Sequence, residues 1–218
     1  MSRIISILLI FILITFSNFT WAQNSDSFEV SGGVLFPSGS PVGINSSIQF
    51  NYAFNKNMQF YIYSGYSYWD KYNVNFTESL STIQQITNFR TYLSDHHILF
   101  PVYLGAKLNF AKNKIFSAYT LFEAGYSHLS YNSYFVKKKV DPQTGQVLYY
   151  YTDKSTKRKV NANLFGFGVG IELMHEFTKN LGVMLSFKLN SQLNSGTFKI
   201  INGEGTYTSL NLGINVKI

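Results

Sequence analysis

The sequence predicts an all-β protein in which eight antiparallel strands run up and down and close into a transmembrane barrel. Apolar and polar residues alternate in eight segments, as expected for strands with one apolar and one polar face. Charged residues make up only 13% of the chain and aromatic residues 17%, which suits a surface that faces lipid better than one that faces water. The connections between the segments alternate between short and long. Together these three observations indicate a membrane barrel.

A signal peptide is predicted before the barrel, at residues 1–22. Arg3 supplies a positive start, residues 4–16 form an apolar core, and Ala22 ends a cleavage site of small residues. The apolar core is too short to act as a membrane anchor. Residues 23–218 then form one barrel domain. The chain contains no cysteine, which excludes disulfides, thiolate metal sites and a cysteine nucleophile.

The first four segments contain the clearest alternation. In the second segment, apolar residues such as Ile44 and Ile48 occupy one parity, and polar residues such as Asn45 and Gln49 occupy the other. The third segment begins directly after a short turn, so the two predict a β-hairpin. The same alternation defines the neighbouring segments, and the four cover residues 28–36, 42–54, 58–69 and 98–110.

The last four segments follow the same rule. Val169, Ile171 and Leu173 share one parity of the sixth segment, and Leu185 and Phe187 share one parity of the seventh. Each segment has about the 9–11 residues that a tilted membrane strand needs, or more. The four segments cover residues 116–131, 164–177, 181–190 and 207–218.

The connections predict which end of the barrel faces the cell. The pattern Phe-x-Lys-Asn occurs three times, and Asn tolerates the positive backbone dihedrals of tight turns. Short turns are therefore predicted at about residues 55–57, 111–114 and 178–180. The other connections predict loops at about 37–41, 70–97, 132–163 and 191–206. In outer-membrane barrels the short turns face the periplasm and the long loops face the outside.

The inward parity predicts a polar lumen. It contains glycines in every strand and large residues such as Tyr61 and Tyr103, for which the glycines make room. Charges in so narrow a space have to pair. We expect Glu172 near Lys188 from hairpin geometry, and Glu29 near Lys217 from barrel closure. A sealed polar plug is favoured over a gated path for ions, and the predicted network comprises Glu29, Lys107, Glu123, Glu172, Glu176, Lys188 and Lys217.

The segment 132–163 is the predicted contact site for a partner. Its centre, 140–147, reads as a turn, so the segment extends the fifth and sixth strands as a protruding hairpin. Tyrosines are interleaved with its charges, and the nearest anions outside an outer membrane are the phosphates of lipopolysaccharide. A solvated loop is the alternative, and export excludes nucleic acid as a partner. The basic residues are Lys137, Lys138, Lys139, Lys154, Lys157, Arg158 and Lys159.

The run Ile-Leu-Phe-Pro-Val-Tyr-Leu-Gly-Ala-Lys at residues 98–107 and the strand layout resemble a known family. The layout is similar to the small eight-stranded outer-membrane barrels of the OmpA/OmpX type, and the run to the barrel domains of Bacteroidota outer membranes. This resemblance implies a porin-like cell-envelope protein that the barrel-insertion machinery places in the outer membrane. Such chains usually end in an aromatic residue, whereas this one ends in Ile218.

Two alternatives concern function. His128 and Ser130 lie two residues apart on one strand face, and the lipid A deacylases carry a similar His-x-Ser. By that resemblance His128 is the base and Ser130 the nucleophile of a lipid A hydrolase, although no orienting acid is identifiable. A secreted lipocalin-like barrel would instead place the aliphatic residues inside. The favoured hypothesis is a non-enzymatic barrel without metal or cofactor, whose external loops have a structural, binding or adhesion role.

Overall fold

The computed structural model describes residues 25–80, 85–113, 116–193 and 206–218. The predicted signal peptide, residues 1–22, lies outside the described residues, as does most of the predicted loop 191–206. The part of the chain that the structure describes contains no helix that could span a membrane.

Antiparallel β-strands make up the described fold. The strands are β1 (Ser27–Pro37), β2 (Gly43–Asn55), β3 (Met58–Trp69), β4 (Tyr72–Leu80), β5 (Gln85–Ser94), β6 (His97–Lys112), β7 (Phe116–Val140), β8 (Val147–Glu176), β9 (Leu181–Leu193) and β10 (Tyr207–Lys217). Eight of them pair in a closed ring in the order β1-β2-β3-β6-β7-β8-β9-β10, and β10 pairs with β1. The ring is the predicted eight-stranded up-and-down barrel.

The polarity of the barrel is inverted relative to a soluble protein. Along β2, Ile44 and Ile48 are more than 60% exposed, while Asn45 and Gln49, which directly follow them, are buried. The same alternation recurs around the ring, so the outer surface is an apolar band and the interior is polar. Exposed aliphatic residues on this scale are stable only against lipid or a partner. The arrangement is the reverse of the lipocalin-like alternative.

Glycines make room for the interior tyrosines, as the sequence predicts. A Cβ atom at Gly105 would overlap the ring of Tyr61, and one at Gly125 would lie 2.7 Å from the ring of Tyr103. An eight-stranded barrel is just wide enough for its own side chains. The glycine on one strand therefore leaves the space that the tyrosine from the neighbouring strand occupies.

The segment 70–97 differs from the expectation of a long loop, because it contains a further hairpin. Strands β4 and β5 pair along their length, and β5 continues the sheet at Ser94, which pairs with Ser133 of β7. The alternation of Tyr72, Val74 and Phe76 was the available signal. This alternation is short, and the segment lies outside the barrel, where the count of ring strands does not predict a further strand.

The hairpin of β7 and β8 is the longest element. Its pairing runs from Phe116 opposite His175 to Val140 opposite Val147, with a register shift between Ser133 and Phe135. The two strands thus leave the ring and continue outward as one ribbon. We call this end of the barrel the loop end, and the end that carries the short connections the turn end.

The glycine packing leads to a stability prediction. Gly125→Ala is expected to lower the free energy of unfolding by about 1–3 kcal/mol, because the added methyl overlaps the Val102 carbonyl oxygen and the Tyr103 ring. Urea unfolding in lipid vesicles measures it. Gly32→Ala is the matched control, since its nearest contact is at 3.5 Å. Equal stability of both variants would contradict the packing argument.

Candidate functional site

The lumen contains a fully buried three-residue ion cluster. The Lys107 Nζ lies 2.6 and 2.8 Å from the two carboxylate oxygens of Glu29 and 2.7 Å from Glu172 Oε1. Gln49 and Asn215 each donate a further hydrogen bond to Glu29, at 2.8 and 2.9 Å. A single ammonium thus lies between two carboxylates that come from β1 and β8, and the amides satisfy remaining lone pairs of Glu29.

A second ion pair lies nearer the loop end. The Lys188 Nζ lies 3.0 Å from Glu123 Oε2 and 4.2 Å from the centroid of the Tyr63 ring. Asn190 and the Tyr61 hydroxyl also donate to the Glu123 carboxylate. The lysine therefore has both an anionic and an aromatic partner, which is the pairing that a buried ammonium requires.

The partners differ from the two pairs expected from the sequence. Glu172 bonds Lys107 instead of Lys188, and Glu29 bonds Lys107 instead of Lys217. Lys217 pairs with Glu176 at the turn end, at 2.7 Å. Hairpin register brings together residues on adjacent strands, whereas the lumen is narrow enough for side chains to meet across it.

Apolar side chains close the lumen at the loop end. This group lies on the inward parity, where the sequence predicts polar residues. The sequence carries a signal for it, since leucines take the inward positions at the loop-end limits of four predicted segments, 28–36, 98–110, 116–131 and 164–177. Below the group, the cavity beside Glu29 and Glu172 has a volume of about 10 Å³, enough for about one water. The cap comprises Leu35, Trp69, Leu99, Leu129, Leu164 and Tyr207.

His128 and Ser130 lie on the outer surface, but they do not bond each other. The His128 Nδ1 lies 2.8 Å from Asn163 Oδ1, and the Ser130 hydroxyl donates to Asn161 Oδ1 at 2.9 Å. Each side chain is thus paired with an asparagine directly across from it on β8. The geometry is a ladder of polar cross-strand pairs above the aromatic contact of Tyr126 with Phe165.

The β4–β5 hairpin covers one face of the β7–β8 ribbon. Tyr150 stacks on Phe76, with ring centroids 4.2 Å apart, and its hydroxyl donates to Glu78. The hydroxyls of Thr91 and Thr152 are 2.9 Å apart, and Thr152 also donates to a backbone carbonyl of β5. These contacts hold the ribbon upright against a second hairpin.

The opposite face of the ribbon is uncovered, and we call it the basic aromatic face. It carries Phe135, which is 72% exposed, together with Tyr149 and Tyr151. Cross-strand pairing sets Lys137 opposite Tyr151 and Lys139 opposite Tyr149. The Lys139 Nζ lies 5.7 Å from the Tyr149 ring centroid. Aromatic rings and ammonium groups therefore alternate on one flat surface.

One acidic residue on this face is neutralised. The Lys137 Nζ lies 2.6 Å from an Asp153 carboxylate oxygen. The hydrogen bond from Lys137, followed by that from Ser155, lowers the pKa of Asp153 to about 2, and the same bond raises the pKa of Lys137. Lys137 and Asp153 are therefore both charged near neutral pH. Within the described residues, Lys139 is the lysine of the basic aromatic face that has no acidic partner.

The other basic residues lie elsewhere on the ribbon. Lys138 pairs with Tyr150, and Lys159 pairs with Asn132 at its base. Lys154 and Lys157 lie where β8 has extra residues between its pairings, and both are exposed, as is Arg158. The structure thus distributes the seven predicted basic residues between the ribbon and its base.

Solved structures share this architecture. Neisserial surface protein A is similar over 89% of this chain and 98% of its own, with a TM-score of 0.56 and 14% identity. A major outer membrane protein from Thermus thermophilus is similar over 89% of this chain and 100% of its own, with a TM-score of 0.52 and 12% identity. No protein-family model and no curated protein sequence matches the chain. The chain has the fold of the small outer-membrane β-barrels.

The fold and the apolar surface together indicate where this barrel is located in the cell. Its apolar band consists of side chains that water would not cover favourably, such as Leu104, which is 66% exposed. Lipid covers the same side chains without cost, and the closed ring leaves no strand edge in the membrane. The protein is a bacterial outer-membrane protein.

The buried ion cluster leads to a second prediction. Lys107→Met is expected to destabilise the barrel by about 3–5 kcal/mol, because two buried carboxylates lose their cation. Lys217→Met, which breaks a partly exposed pair, is expected to cost less than about 1 kcal/mol. Urea unfolding in lipid vesicles compares the two. Equal losses would show that the lumen is hydrated enough to screen its charges.

Proposed function

We propose that this protein is a sealed, non-enzymatic outer-membrane barrel whose external ribbon binds the acidic sugar chains of lipopolysaccharide. The observation that carries the proposal is the basic aromatic face, which nothing in the described chain covers although the opposite face is packed against a second hairpin. In this proposal residues 1–22 are a signal peptide, residues 23–218 are the barrel, and the turn end faces the periplasm. The barrel-insertion machinery then assembles it.

Charge favours an anionic ligand. The segment 132–163 carries seven basic residues against Asp141 and Asp153, and Lys137 already neutralises Asp153. The resulting positive potential attracts phosphate or carboxylate groups outside the membrane. Because the lysines are spread along the ribbon and its base, they match a polymer with repeated charges better than a single small anion.

The exposed rings favour a saccharide. Tyr149 and Tyr151 present flat faces beside lysines, and their centroids lie 5.9 Å apart. A tyrosine has an apolar ring and a polar hydroxyl, so it covers the C–H face of a sugar ring while bonding its hydroxyl groups. An alternation of rings and ammonium groups thus fits a chain of sugars that carries acidic substituents.

The distance that the basic aromatic face extends from the barrel favours lipopolysaccharide as the source of the acidic sugar chain. From Asn132 to Val140 the ribbon extends roughly 25–30 Å, at about 3.3 Å per residue. Sugar chains anchored in the same leaflet reach this height, and anchoring beside the barrel raises their effective concentration. The partner is therefore a neighbouring glycolipid.

Two further features support a role without catalysis or conduction. The apolar cap and the paired charges fill the lumen, as described above. Ser130 donates its hydroxyl hydrogen to Asn161 rather than to His128, so the base–nucleophile contact of a lipid A hydrolase is missing from the described geometry. The barrel acts as an anchor that displays the ribbon.

Binding tests the proposed partner. The triple variant Lys139→Ala, Tyr149→Ala, Tyr151→Ala is expected to bind purified lipopolysaccharide about tenfold or more weakly, since each exposed cation or ring contact contributes about 0.5–1 kcal/mol. Calorimetry with the barrel in nanodiscs measures the affinity. Lys179→Ala, a basic residue of a short turn, is the control. Unchanged affinity of the triple variant, or affinity independent of salt, contradicts the proposal.

The hydrolase alternative has its own test. Mass spectra of lipid A from cells with and without the protein are expected to be the same, because Ser130 lacks a positioned base. An acyl chain that is missing from lipid A when the wild-type protein is present, but retained when the protein is absent or carries His128→Ala, would overturn the non-enzymatic interpretation. Asn163→Ala, which removes only the partner of His128, is the matched control.

A further inference from the structure

A small polar cavity lies at the turn end of the barrel, far from the basic aromatic face. Its volume is about 70 Å³, and one water needs at least about 10–15 Å³, so it has room for several waters or one small group. Its inner wall includes Ser27 and Asn215, both of which also contact the lumen network. The lining includes Ser27, Lys56, Gln59, Lys112, Glu176 and Lys217.

Two repeats of the Phe-x-Lys-Asn pattern build one side of this cavity. Lys56 belongs to the turn between β2 and β3, and Lys112 ends β6. The Asn109 N–H donates to the Asn57 carbonyl oxygen at 2.8 Å, which fastens the turn to β6 and sets the two lysines at the same opening. The third repeat supplies Lys179, which does not line the cavity.

The cavity has an excess of positive charge. Lys56, Lys112 and Lys217 line it, and Glu176 is the one acidic residue of the lining. The Lys217 Nζ lies 2.7 Å from Glu176 Oε1, so this pair is internally neutralised. Lys56 and Lys112 remain as cations, and neither has an acidic partner in the described residues.

Two polar atoms of the wall are only partly used. The Gln59 Oε1 is buried and accepts no hydrogen bond in the described residues. The Ser27 hydroxyl oxygen accepts bonds from Asn51 and Asn215, at 3.0 and 2.9 Å, so its own hydrogen remains free to donate. The wall therefore offers cationic and hydroxyl donors together with one acceptor.

We propose that this cavity binds the C-terminal carboxylate of a peptide. The carboxylate accepts from Lys56, Lys112 and the Ser27 hydroxyl, and the terminal amide N–H donates to Gln59 Oε1. A fully ionised anion such as sulfate satisfies the donors but leaves Gln59 without a partner. A carboxylate with an adjacent N–H satisfies both, and it is a few heavy atoms in size.

The proposal rests on the orientation proposed above, in which the turn end faces the periplasm. Peptides with free C-termini reach this compartment from two sources, the peptides of the cell wall and the ends of envelope proteins. The chemistry that the cavity recognises is the same for both. They differ in the chirality of the terminal residues, which the test uses.

Binding of defined dipeptides tests the cavity in the full-length mature barrel in nanodiscs. The probes are N-acetyl-L-alanyl-L-alanine and N-acetyl-D-alanyl-D-alanine, each with its C-terminal amide as the control ligand. NMR chemical-shift titration is expected to show binding of at least one acid, with the amides binding at least about fivefold more weakly because they lack the charge. Preference for the D form points to the cell wall, and preference for the L form points to a protein end.

Matched variants assign the binding to the cavity. Lys112→Gln and Gln59→Leu are each expected to weaken acid binding by about threefold to fivefold. Lys179→Gln, from the third repeat, is expected to leave it unchanged. Equal binding of acid and amide, or an equal loss in Lys112→Gln and Lys179→Gln, overturns the proposal. Failure here leaves the lipopolysaccharide proposal standing, since that test uses residues at the opposite end.

Discussion

The rest of the structure depends on the closure of a narrow ring of strands in lipid. Because the bilayer covers the outside, the apolar side chains turn outward, and most polar side chains of the described ring strands turn into a narrow lumen. The carboxylates of Glu29 and Glu172 would be untenable there if they did not share the ammonium of Lys107. Closure also explains glycines such as Gly105 and Gly125, since a tyrosine from the neighbouring strand fills the space that a side chain there would take.

Because side chains fill the interior, the candidate binding sites lie at the two ends of the barrel. At the loop end, the apolar cap separates the charged lumen from the outside, and the β7–β8 ribbon continues beyond it. The β4–β5 hairpin uses one face of that ribbon for packing through Tyr150. The residues at neighbouring positions, Tyr149 and Tyr151, necessarily point the other way. Side chains alternate between the two faces of a strand, and this alternation, which places apolar residues in lipid, thus also produces the basic aromatic face.

At the turn end, two copies of a repeated sequence pattern line the same cavity. The Phe-x-Lys-Asn pattern is first of all a turn signal, and each copy would serve that purpose alone. The pairing of β3 with β6 brings two of the copies, with Lys56 and Lys112, to one opening, while Lys179 of the third does not line it. Identical local sequences therefore have different surroundings, which is why Lys179 serves as a control for residues of its own motif.

The sequence by itself determined which residues face lipid and which face inward, because strand geometry alternates with a period of two and needs no tertiary information. It therefore predicted the ring strands, the short turns and the inward position of Glu29, Lys107, Glu123 and Glu172. Only the tertiary structure decided which charges meet. Glu29 on β1 and Lys107 on β6 are separated by two intervening strands in the ring, and their contact exists because the lumen is narrow enough to be crossed. The same reason explains why Glu172 pairs with Lys107 and not with Lys188, which hairpin geometry predicts. The register of a hairpin describes neighbours along the barrel wall, whereas a buried charge can also meet partners across the interior.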